Sequence, residues 1–317
     1  MTVHLWRGFH RGDLPGLLKR SWEEGDLTIL VPPALKDLSS LSLVSSLDCR
    51  LHGEWSEEQK NAFSVLKRPL SDPEKALLGE AVLGVFTSGT GSGQPRLVLY
   101  SKNNLQSSLA SIRSLFETAH IENVFVYPQP THTFGLVLGY MHAILHGLPL
   151  HFEEGPYGRK THEKWLSVVN RGTLTLGAPA HFYDLLKFVR AEKIQPPPSY
   201  SAIAGGARVS VTLWNQMVNE LGIQKPSVGY GATEASPGVT HLPPGLPPKE
   251  DGDIGFALKD VSMTLLKDEG VEFSGPNVCL ALFERNELKS PDRIKLRDSL
   301  VVNDRNGSLR YTYVGRT

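Results

Sequence analysis

A segment with a core of glycine and hydroxyl residues, Thr87 to Gly93, decides the fold: Phe86-Thr87-Ser88-Gly89-Thr90-Gly91-Ser92-Gly93-Gln94-Pro95-Arg96. The apolar run Ala81–Phe86, which ends where this segment begins, predicts a strand. Glycines let backbone N–H groups turn toward one point and hydroxyls add donors, so the segment suits a phosphate chain, to which Arg96 would add positive charge. It lacks the Walker A lysine and the dinucleotide-binding spacing of glycines. Composition alone therefore leaves an ordinary surface loop as an equal alternative.

Two further glycine clusters each end a predicted strand, Gly205-Gly206-Ala207 and Gly229-Tyr230-Gly231-Ala232-Thr233-Glu234. Ligands of doubly wound sheets bind at the carboxyl ends of strands, where small residues would let a planar base approach the backbone and Tyr230 could stack on it. Glu234 is a candidate ligand for Mg²⁺. Taken singly, Gly205–Ala207 is more often a tight turn, and Gly229–Glu234 is more often a turn with a solvated glutamate.

His132 is a further candidate, since it precedes an apolar helix predicted from Phe134. A lone histidine in such a place is more often a hydrogen-bonded structural residue than an acid or a base. The residue by itself therefore leaves both roles open.

The order of apolar runs predicts an α/β fold. Strand-like runs alternate with helix-length segments up to about residue 238, a pattern typical of parallel sheets. A proline-rich connector, Leu242–Pro248, then leads to short segments with two-residue periodicity that predict a small antiparallel sheet or barrel, with a hairpin turn at Asn306-Gly307. We therefore predict an α/β core over residues 1–240 and a small β subdomain over residues 241–317.

Composition excludes several classes of function. The 317 residues carry 33 Lys+Arg and 33 Asp+Glu, and this zero formal net charge disfavours a nucleic-acid partner. Two cysteines cannot make a disulfide framework. Residues 1–16 have no apolar signal core, and the most apolar stretch, Phe134–Leu150, falls short of the ~20 apolar residues of a membrane span. We expect a soluble cytoplasmic protein without a membrane span.

The order of the clusters along the chain resembles the adenylate-forming superfamily, which includes acyl-CoA synthetases, peptide-synthetase adenylation domains and luciferases. Gly229–Glu234 is similar to the Gly-Tyr-Gly-x-Thr-Glu motif of the family and is the most specific match. The other resemblances cover about Val82 to Thr317: Thr87–Arg96 resembles the phosphate loop, Gln129–Gly135 the Pro-x-x-His-x-x-Gly segment, Gly205–Ala207 the Gly-Gly-Ala motif, Arg297-Asp298 the ribose-binding segment and Gly315-Arg316 the closing Gly-Arg.

The resemblance implies a reaction and its participants. A small-molecule carboxylic acid would react with ATP in the presence of Mg²⁺ to give an acyl-adenylate and pyrophosphate, and the thiol of CoA would then capture the acyl group. Glu234, which would bind Mg²⁺, Thr233, which would touch the α-phosphate, and His132, at the acyl pocket, would be catalytic. The implied nucleotide- and acyl-binding residues are Thr87, Ser88, Gly89, Thr90, Gly91 and Arg96 at the phosphates, Gly205, Gly206, Ala207, Gly229, Tyr230 and Gly231 around adenine and the acyl group, and Asp298 with Arg316 at the ribose.

The sequence departs from the family pattern in three places. The phosphate loop has one extra residue and carries Arg96 where lysine is usual, and only 86 residues precede Thr87. The sequence stops at Thr317, where family members place a hinge and then a C-terminal domain with the lysine that promotes adenylation. We therefore expect an abbreviated core that lacks the C-terminal domain, which a separate chain or subunit could supply.

Three hypotheses follow from this resemblance and its limits. The chain is the core of an acid–CoA ligase, a non-catalytic relative that binds nucleotide or acyl-adenylate as a sensor or scaffold, or an unrelated glycine-rich nucleotide-binding protein. Thr233, Glu234 and Asp298 favour the ligase, because a scaffold needs neither a Mg²⁺ ligand nor a ribose clamp. Within the ligases, Gly205–Leu213 is similar to o-succinylbenzoate–CoA ligases of menaquinone synthesis.

Overall fold

The structure is a computed structural model of the chain, and it describes residues 1–8, 12–87, 95–116, 120–267, 270–305 and 308–316. The strands follow one another along the chain as β1 Val3–Arg7, β2 Leu27–Val31, β3 Cys49–Gly53, β4 Ala81–Phe86, β5 Leu97–Ser101, β6 Asn123–Val126, β7 Leu150–His151, β8 Thr173–Gly177, β9 Ser199–Gly205, β10 Ile223–Gly231, β11 Gly238–Leu242, β12 Asp253–Ala257, β13 Ser262–Leu266, β14 Gly270–Ser274, β15 Ala281–Glu284, β16 Glu287–Lys289, β17 Arg293–Leu296, β18 Asp298–Arg305 and β19 Ser308–Arg316.

Helices lie between most of the strands from β1 to β11. The α-helices are α1 Leu14–Glu24, α2 Glu57–Ser64, α3 Asp72–Glu80, α4 Lys102–Arg113, α5 Thr133–Gly135, α6 His142–His146, α7 Arg159–Val168, α8 Pro179–Ala191 and α9 Val211–Asn219. Short 3₁₀ helices span Ser39–Leu43 and Thr233–Ala235, and a π-helix spans Leu136–Met141.

These strands form three sheets within the described residues. A seven-stranded sheet, sheet A, has the order β16-β15-β5-β4-β2-β1-β3, and a nine-stranded sheet, sheet B, has the order β18-β19-β12-β11-β10-β9-β8-β6-β7. Sheet B is parallel from β7 to β10 and antiparallel from there to β18. The third sheet, sheet C, is antiparallel and contains β13, β14 and β17. The α/β prediction is confirmed.

The main core unites the two large sheets. One apolar cluster combines Leu83 and Val98 of sheet A with Leu105 of α4 and with Val124 and Leu174 of sheet B. Every residue of β4 is buried, which explains why this strand has an uninterrupted apolar sequence instead of an alternating one. The phosphate-loop segment therefore starts from a fully buried strand.

The apolar helix predicted from Phe134 is not a regular α-helix. It begins as α5, continues as the π-helix and ends as α6 at His146. At Gly139 a Cβ would approach Val126 Cγ2 of β6 to 2.5 Å, so the π-helical stretch packs closely on the strand. Single π-turns of this kind are frequent at functional sites.

The C-terminal strands are distributed differently from the prediction of one small subdomain. Sheet C matches the predicted small antiparallel sheet, while β15–β16 joins sheet A and β18–β19 joins sheet B. The described residues contain no closed barrel. β18 and β19 pair antiparallel, with Arg305 opposite Ser308, and the predicted turn at Asn306-Gly307 lies outside the described residues. The domain boundary near residue 240 stays a prediction.

Candidate functional site

A cavity of about 440 Å³ opens at the carboxyl ends of the parallel strands of sheet B. Tyr127 follows β6, Ala178 follows β8, Gly205 ends β9 and Gly229 lies near the end of β10, and all four line the cavity. Open α/β sheets bind ligands at this edge. The volume suits a small organic ligand.

Tight turns shape the wall of the cavity. Gly206 has a φ of +80°, in the left-handed region that favours glycine. At Gly231 a Cβ would overlap the carbonyl oxygen of Pro237, which accepts a hydrogen bond from the Ala232 N–H at 3.0 Å. The chain therefore folds back on itself directly after β10, and only a residue without a side chain fits at the crossing.

Gly231→Ala is expected to lower the free energy of unfolding by about 1–3 kcal/mol, because the new Cβ must displace backbone in a packed turn. Urea denaturation of the variant measures this change. Gly79→Ala is the matched control, since Gly79 lies in α3 with no atom within 4 Å of an added Cβ, and it should instead gain about 0.5–1 kcal/mol. Equal effects of the two substitutions would contradict the tight turn.

The turn that carries Thr233 and Glu234 is held from two sides. Tyr100 of β5 donates its hydroxyl to the Thr233 carbonyl at 2.6 Å, and the Cys279 N–H donates to the Glu234 carbonyl at 2.9 Å. The side-chain amide of Asn277 donates to the carbonyl oxygens of Ala235 and Gly238, at 3.1 and 2.5 Å. Contacts from outside sheet B thus position the turn at the edge of that sheet.

Glu234 forms an ion pair with Arg96. Arg96 Nη2 lies 2.5 Å from Glu234 Oε1, and the glutamate side chain is 6% exposed while the arginine side chain is 33% exposed. Arg96 also pairs with Thr87, whose Oγ1 accepts from the Arg96 N–H at 3.1 Å and whose N–H donates to the Arg96 carbonyl at 2.9 Å. The base of the predicted phosphate loop and the predicted Mg²⁺ ligand are therefore neighbours.

The carboxylate of Glu234 also affects the pKa of Cys279. Burial, and secondarily the adjacent carboxylate of Glu234, raise the pKa of the Cys279 thiol to about 12. The thiol therefore stays protonated at neutral pH and is a poor nucleophile. This cysteine is a packing residue beside the site.

The side chains at this site fit a Mg²⁺ ion only if phosphate oxygens of a ligand also coordinate it. Within the described ranges no group of three or more His, Cys, Asp or Glu side chains could hold a metal ion. Mg²⁺ at phosphate sites is typically held by one or two carboxylates together with phosphate oxygens and water, so the single carboxylate of Glu234 is enough. The residues present therefore fit an ion that arrives with a phosphate ligand.

Asp298 is buried and already accepts two hydrogen bonds. Tyr230 donates its hydroxyl to Asp298 Oδ2 at 2.8 Å, and Arg316 Nε donates to Oδ1 at 2.9 Å. Burial, with the carboxylate of Asp298 as the next cause, raises the pKa of Tyr230. The ring of Tyr230 lines the cavity and tilts against Tyr313 at a centroid distance of 6.0 Å, so Asp298 is coupled to the cavity through Tyr230.

The structure brings most of the predicted residues into one region. The cavity is lined by His132, Gly205, Gly206, Gly229, Tyr230, Gly231 and Thr233. Thr87 and Arg96 join this region through Glu234, and Asp298 and Arg316 join it through Tyr230. Ala207 is exposed and does not line the cavity. Ser88, Gly89, Thr90 and Gly91 lie outside the described residues. Ligand binding by any of these residues stays a prediction.

Several cavity residues were missed by the sequence analysis. Tyr127 comes directly after β6 and could have been found from the rule that ligands bind at strand ends. Tyr157, His181 and His241 carry no such signal, since they come from a loop, from α8 and from the antiparallel strand β11. Only the folded chain brings them to the same wall as Gly205.

None of the helices in the described ranges has the length and apolarity needed to cross a bilayer.

Comparison with known proteins identifies the class defined by this fold and site. The family of AMP-binding enzymes matches residues 23–278, and the chain belongs to this family. Among curated proteins, the acyl-CoA ligase cnsG of Penicillium expansum is 30% identical over 172 residues, which are 53% of this chain and 34% of that protein. The mitochondrial medium-chain acyl-CoA ligase ACSF2 of Danio rerio is 26% identical over 171 residues, which are 53% of this chain and 28% of that protein.

Solved structures share the fold over nearly the whole chain. The o-succinylbenzoate coenzyme A synthetase (MenE) of Bacillus subtilis in complex with AMP has a TM-score of 0.75 at 16% identity, covering 99% of this chain and 68% of that chain. The N-terminal domain of FACL13 from Mycobacterium tuberculosis has a TM-score of 0.74 at 16% identity, covering 98% and 86%. The matches to the curated relatives span about a third of their length, and the structural likeness concerns the fold.

Proposed function

We propose that this chain is the nucleotide- and acid-binding core of an AMP-forming acid–CoA ligase. The observation that carries the proposal is the meeting of Arg96, Glu234 and Thr233 beside a cavity at the carboxyl edge of sheet B. At this edge, Arg96 can bind the phosphate chain and Glu234 can bind its cation. The cavity can hold the carboxylic acid. The family match and the acyl-CoA ligases among the relatives support the same function.

The chemistry follows from the charges at this edge. The substrate carboxylate attacks the α-phosphorus of ATP, the bond to the β-phosphate oxygen breaks, and pyrophosphate leaves. Arg96 is a third exposed, so it can turn from Glu234 to the phosphates and place its charge on the leaving group. Glu234 is then free to hold Mg²⁺, which supplies Lewis-acid neutralisation of phosphate charge. Thr233 contributes a hydroxyl near the α-phosphate, and His132 contributes an imidazole to the lining of the cavity.

The remaining participants are proposed on the resemblance. CoA would capture the acyl group, with a C-terminal domain from outside this sequence completing the site. Solved relatives include complexes with AMP, with ATP and magnesium, and with an acyl-adenylate, which makes these ligands the first to test. The similarity of Gly205–Leu213 makes o-succinylbenzoate a candidate acid and menaquinone synthesis in the cytoplasm a candidate setting.

The alternative is a non-catalytic relative, and the experiment must distinguish it from a ligase. A nucleotide sensor would bind ATP or an acyl-adenylate but would not form pyrophosphate. Both functions require the same binding geometry, so a measurement of the chemical step distinguishes them.

Binding of ATP with Mg²⁺, or of a non-hydrolysable acyl-sulfamoyl adenosine, is expected to stabilise the protein by about 2.7 kcal/mol at a ligand concentration a hundred times its Kd. Thermal denaturation measures this as a rise in Tm. No shift at saturating ligand would overturn the adenylation site. Acid-dependent ATP–pyrophosphate exchange that rises when a family C-terminal domain is added supports the ligase, and binding without any exchange in either condition supports the sensor.

A further inference from the structure

The two members of the Arg96–Glu234 ion pair differ in how freely they can move. The side chain of Glu234 is 6% exposed, and Arg96 is its only ion-pair partner among the described residues. The turn beneath the carboxylate is held by the bonds that the Thr233 carbonyl accepts from Tyr100 and the Glu234 carbonyl accepts from the Cys279 N–H. Glu234 is therefore a buried carboxylate on a fixed turn.

Arg96 is the movable member of the pair. Its backbone is held by two hydrogen bonds to Thr87, but its side chain is 33% exposed. A phosphate group that approaches from solvent can therefore reach the guanidinium. The pair then opens by rotation of the arginine side chain, while the carboxylate stays where it is.

Opening the pair leaves Glu234 without a cation. Loss of one partner of a buried ion pair is strongly unfavourable, because it leaves an uncompensated charge. Phosphate oxygens that have taken Arg96 add repulsion in an environment of low dielectric constant. A nucleotide that brings a divalent cation avoids both costs, because the cation replaces Arg96 as the partner of the carboxylate.

The neighbours of Glu234 supply no substitute cation. Its carboxylate helps to raise the pKa values of the Tyr100 hydroxyl and the Cys279 thiol, although burial is the main cause for both groups. Both groups are therefore uncharged at neutral pH and cannot balance a carboxylate that has lost Arg96.

We propose that Glu234 determines the specificity of the site for nucleotide that carries a cation. In the free protein it holds Arg96, and metal-free ATP can bind this guanidinium only by leaving the carboxylate without a partner. The inference rests on the proposed function and gives Glu234 a second role besides holding the cation. A residue that served only as a cation ligand would have no effect on ATP in the absence of a cation.

Titration calorimetry with ATP in EDTA tests this second role. Glu234→Gln should bind metal-free ATP about tenfold more tightly than the wild type, because Arg96 is released from its partner and no buried carboxylate is left behind. AMP has no phosphate chain to draw Arg96 away, so its affinity should change by no more than about twofold.

A double-mutant cycle separates the ion pair from simple charge repulsion. Repulsion between Glu234 and the phosphates is relieved by Glu234→Gln whether or not Arg96 is present, whereas the cost of opening the pair exists only with Arg96. The gain from Glu234→Gln should therefore be about tenfold larger in the wild-type background than in Arg96→Gln. Equal gains in the two backgrounds overturn the proposal, and so does an equal gain for AMP.

Arg96→Gln leaves Glu234 buried without a partner, so this variant could fail to fold. The double variant, which leaves no buried charge, then serves as the reference. Metal-free ATP should bind about tenfold more tightly to Glu234→Gln than to the double variant, and the wild type should bind it no more tightly than the double variant does. Metal-free ATP binding that is equal in the wild type and Glu234→Gln overturns this inference alone if the wild type binds ATP with Mg²⁺. Failure of the wild type to bind ATP in either buffer overturns the proposed function as well.

Discussion

Replacing Glu234 with glutamine is expected to remove most of the ATP affinity that depends on Mg²⁺ and to slow adenylation about a hundredfold, the usual cost of losing one preorganised electrostatic group. Glutamine has nearly the same shape but no charge, so it can neither hold the cation nor balance Arg96, whose guanidinium lies 2.5 Å from the carboxylate. Isothermal titration with ATP in Mg²⁺ and in EDTA measures the cation-dependent part of the affinity.

Glu272→Gln is the matched control for this experiment. Glu272 also pairs with an arginine, Arg293, at 3.1 Å, but the pair lies on sheet C and neither residue lines the cavity. The control should bind ATP as the wild type does in both buffers. A Glu234→Gln variant that keeps the full effect of Mg²⁺ would show that Glu234 is only the structural partner of Arg96, and the proposed cation role would have to be abandoned.

The parts of the fold that the sequence predicted are those with a local signal. Ala81–Phe86 is a fully buried strand, so its apolar run is uninterrupted. Gly205 ends β9, and Gly229 lies near the end of β10, in the parallel part of sheet B. These features depend on neighbours along the chain. The glycine motifs lie at the ends of β9 and β10, and both strand ends line the same cavity.

The contacts that hold the site together join residues far apart in the sequence, and no local sequence pattern predicts them. Tyr100 reaches Thr233 across 133 positions, and Arg96 reaches Glu234 across 138. The hydrogen bond from Tyr230 to Asp298 is another such pair. It makes Asp298, the predicted ribose-binding residue, part of a hydrogen-bond network within the protein. His241 lies on the antiparallel strand β11, Gly238–Leu242, for which the sequence analysis made no prediction.

In the predicted small β subdomain, local patterns also failed to place whole strands. Short segments with alternating residues predicted an antiparallel arrangement, and sheet C has it. Their periodicity could not say which sheet each strand joins, because any exposed sheet edge can accept a strand. β15 therefore pairs with β5 of sheet A, nearly two hundred residues earlier in the chain, and not with its sequence neighbours in sheet C.

Asp298→Asn is expected to weaken AMP binding about tenfold to a hundredfold. The ribose hydroxyls would donate to a charged carboxylate, and hydrogen bonds to charged groups are worth about 1.5–3 kcal/mol each. The net effect is less than the sum, because the nucleotide must displace the bonds that Asp298 accepts from Tyr230 and Arg316. Titration of AMP against 2′,3′-dideoxy-AMP measures the share of affinity that belongs to the ribose hydroxyls.

The two ligands and the two proteins form a thermodynamic cycle. In the wild type AMP should bind more tightly than its dideoxy analogue, and in Asp298→Asn this difference should nearly vanish, because the removed carboxylate and the removed hydroxyls are partners. Tyr230→Phe keeps the ring at the cavity but removes the competing donor at 2.8 Å, so it should bind AMP at least as tightly as the wild type and keep the difference between the ligands. A variant at Asp298 that loses equal affinity for both ligands would mean that the carboxylate only orients Tyr230 and Arg316, and that the ribose is bound elsewhere.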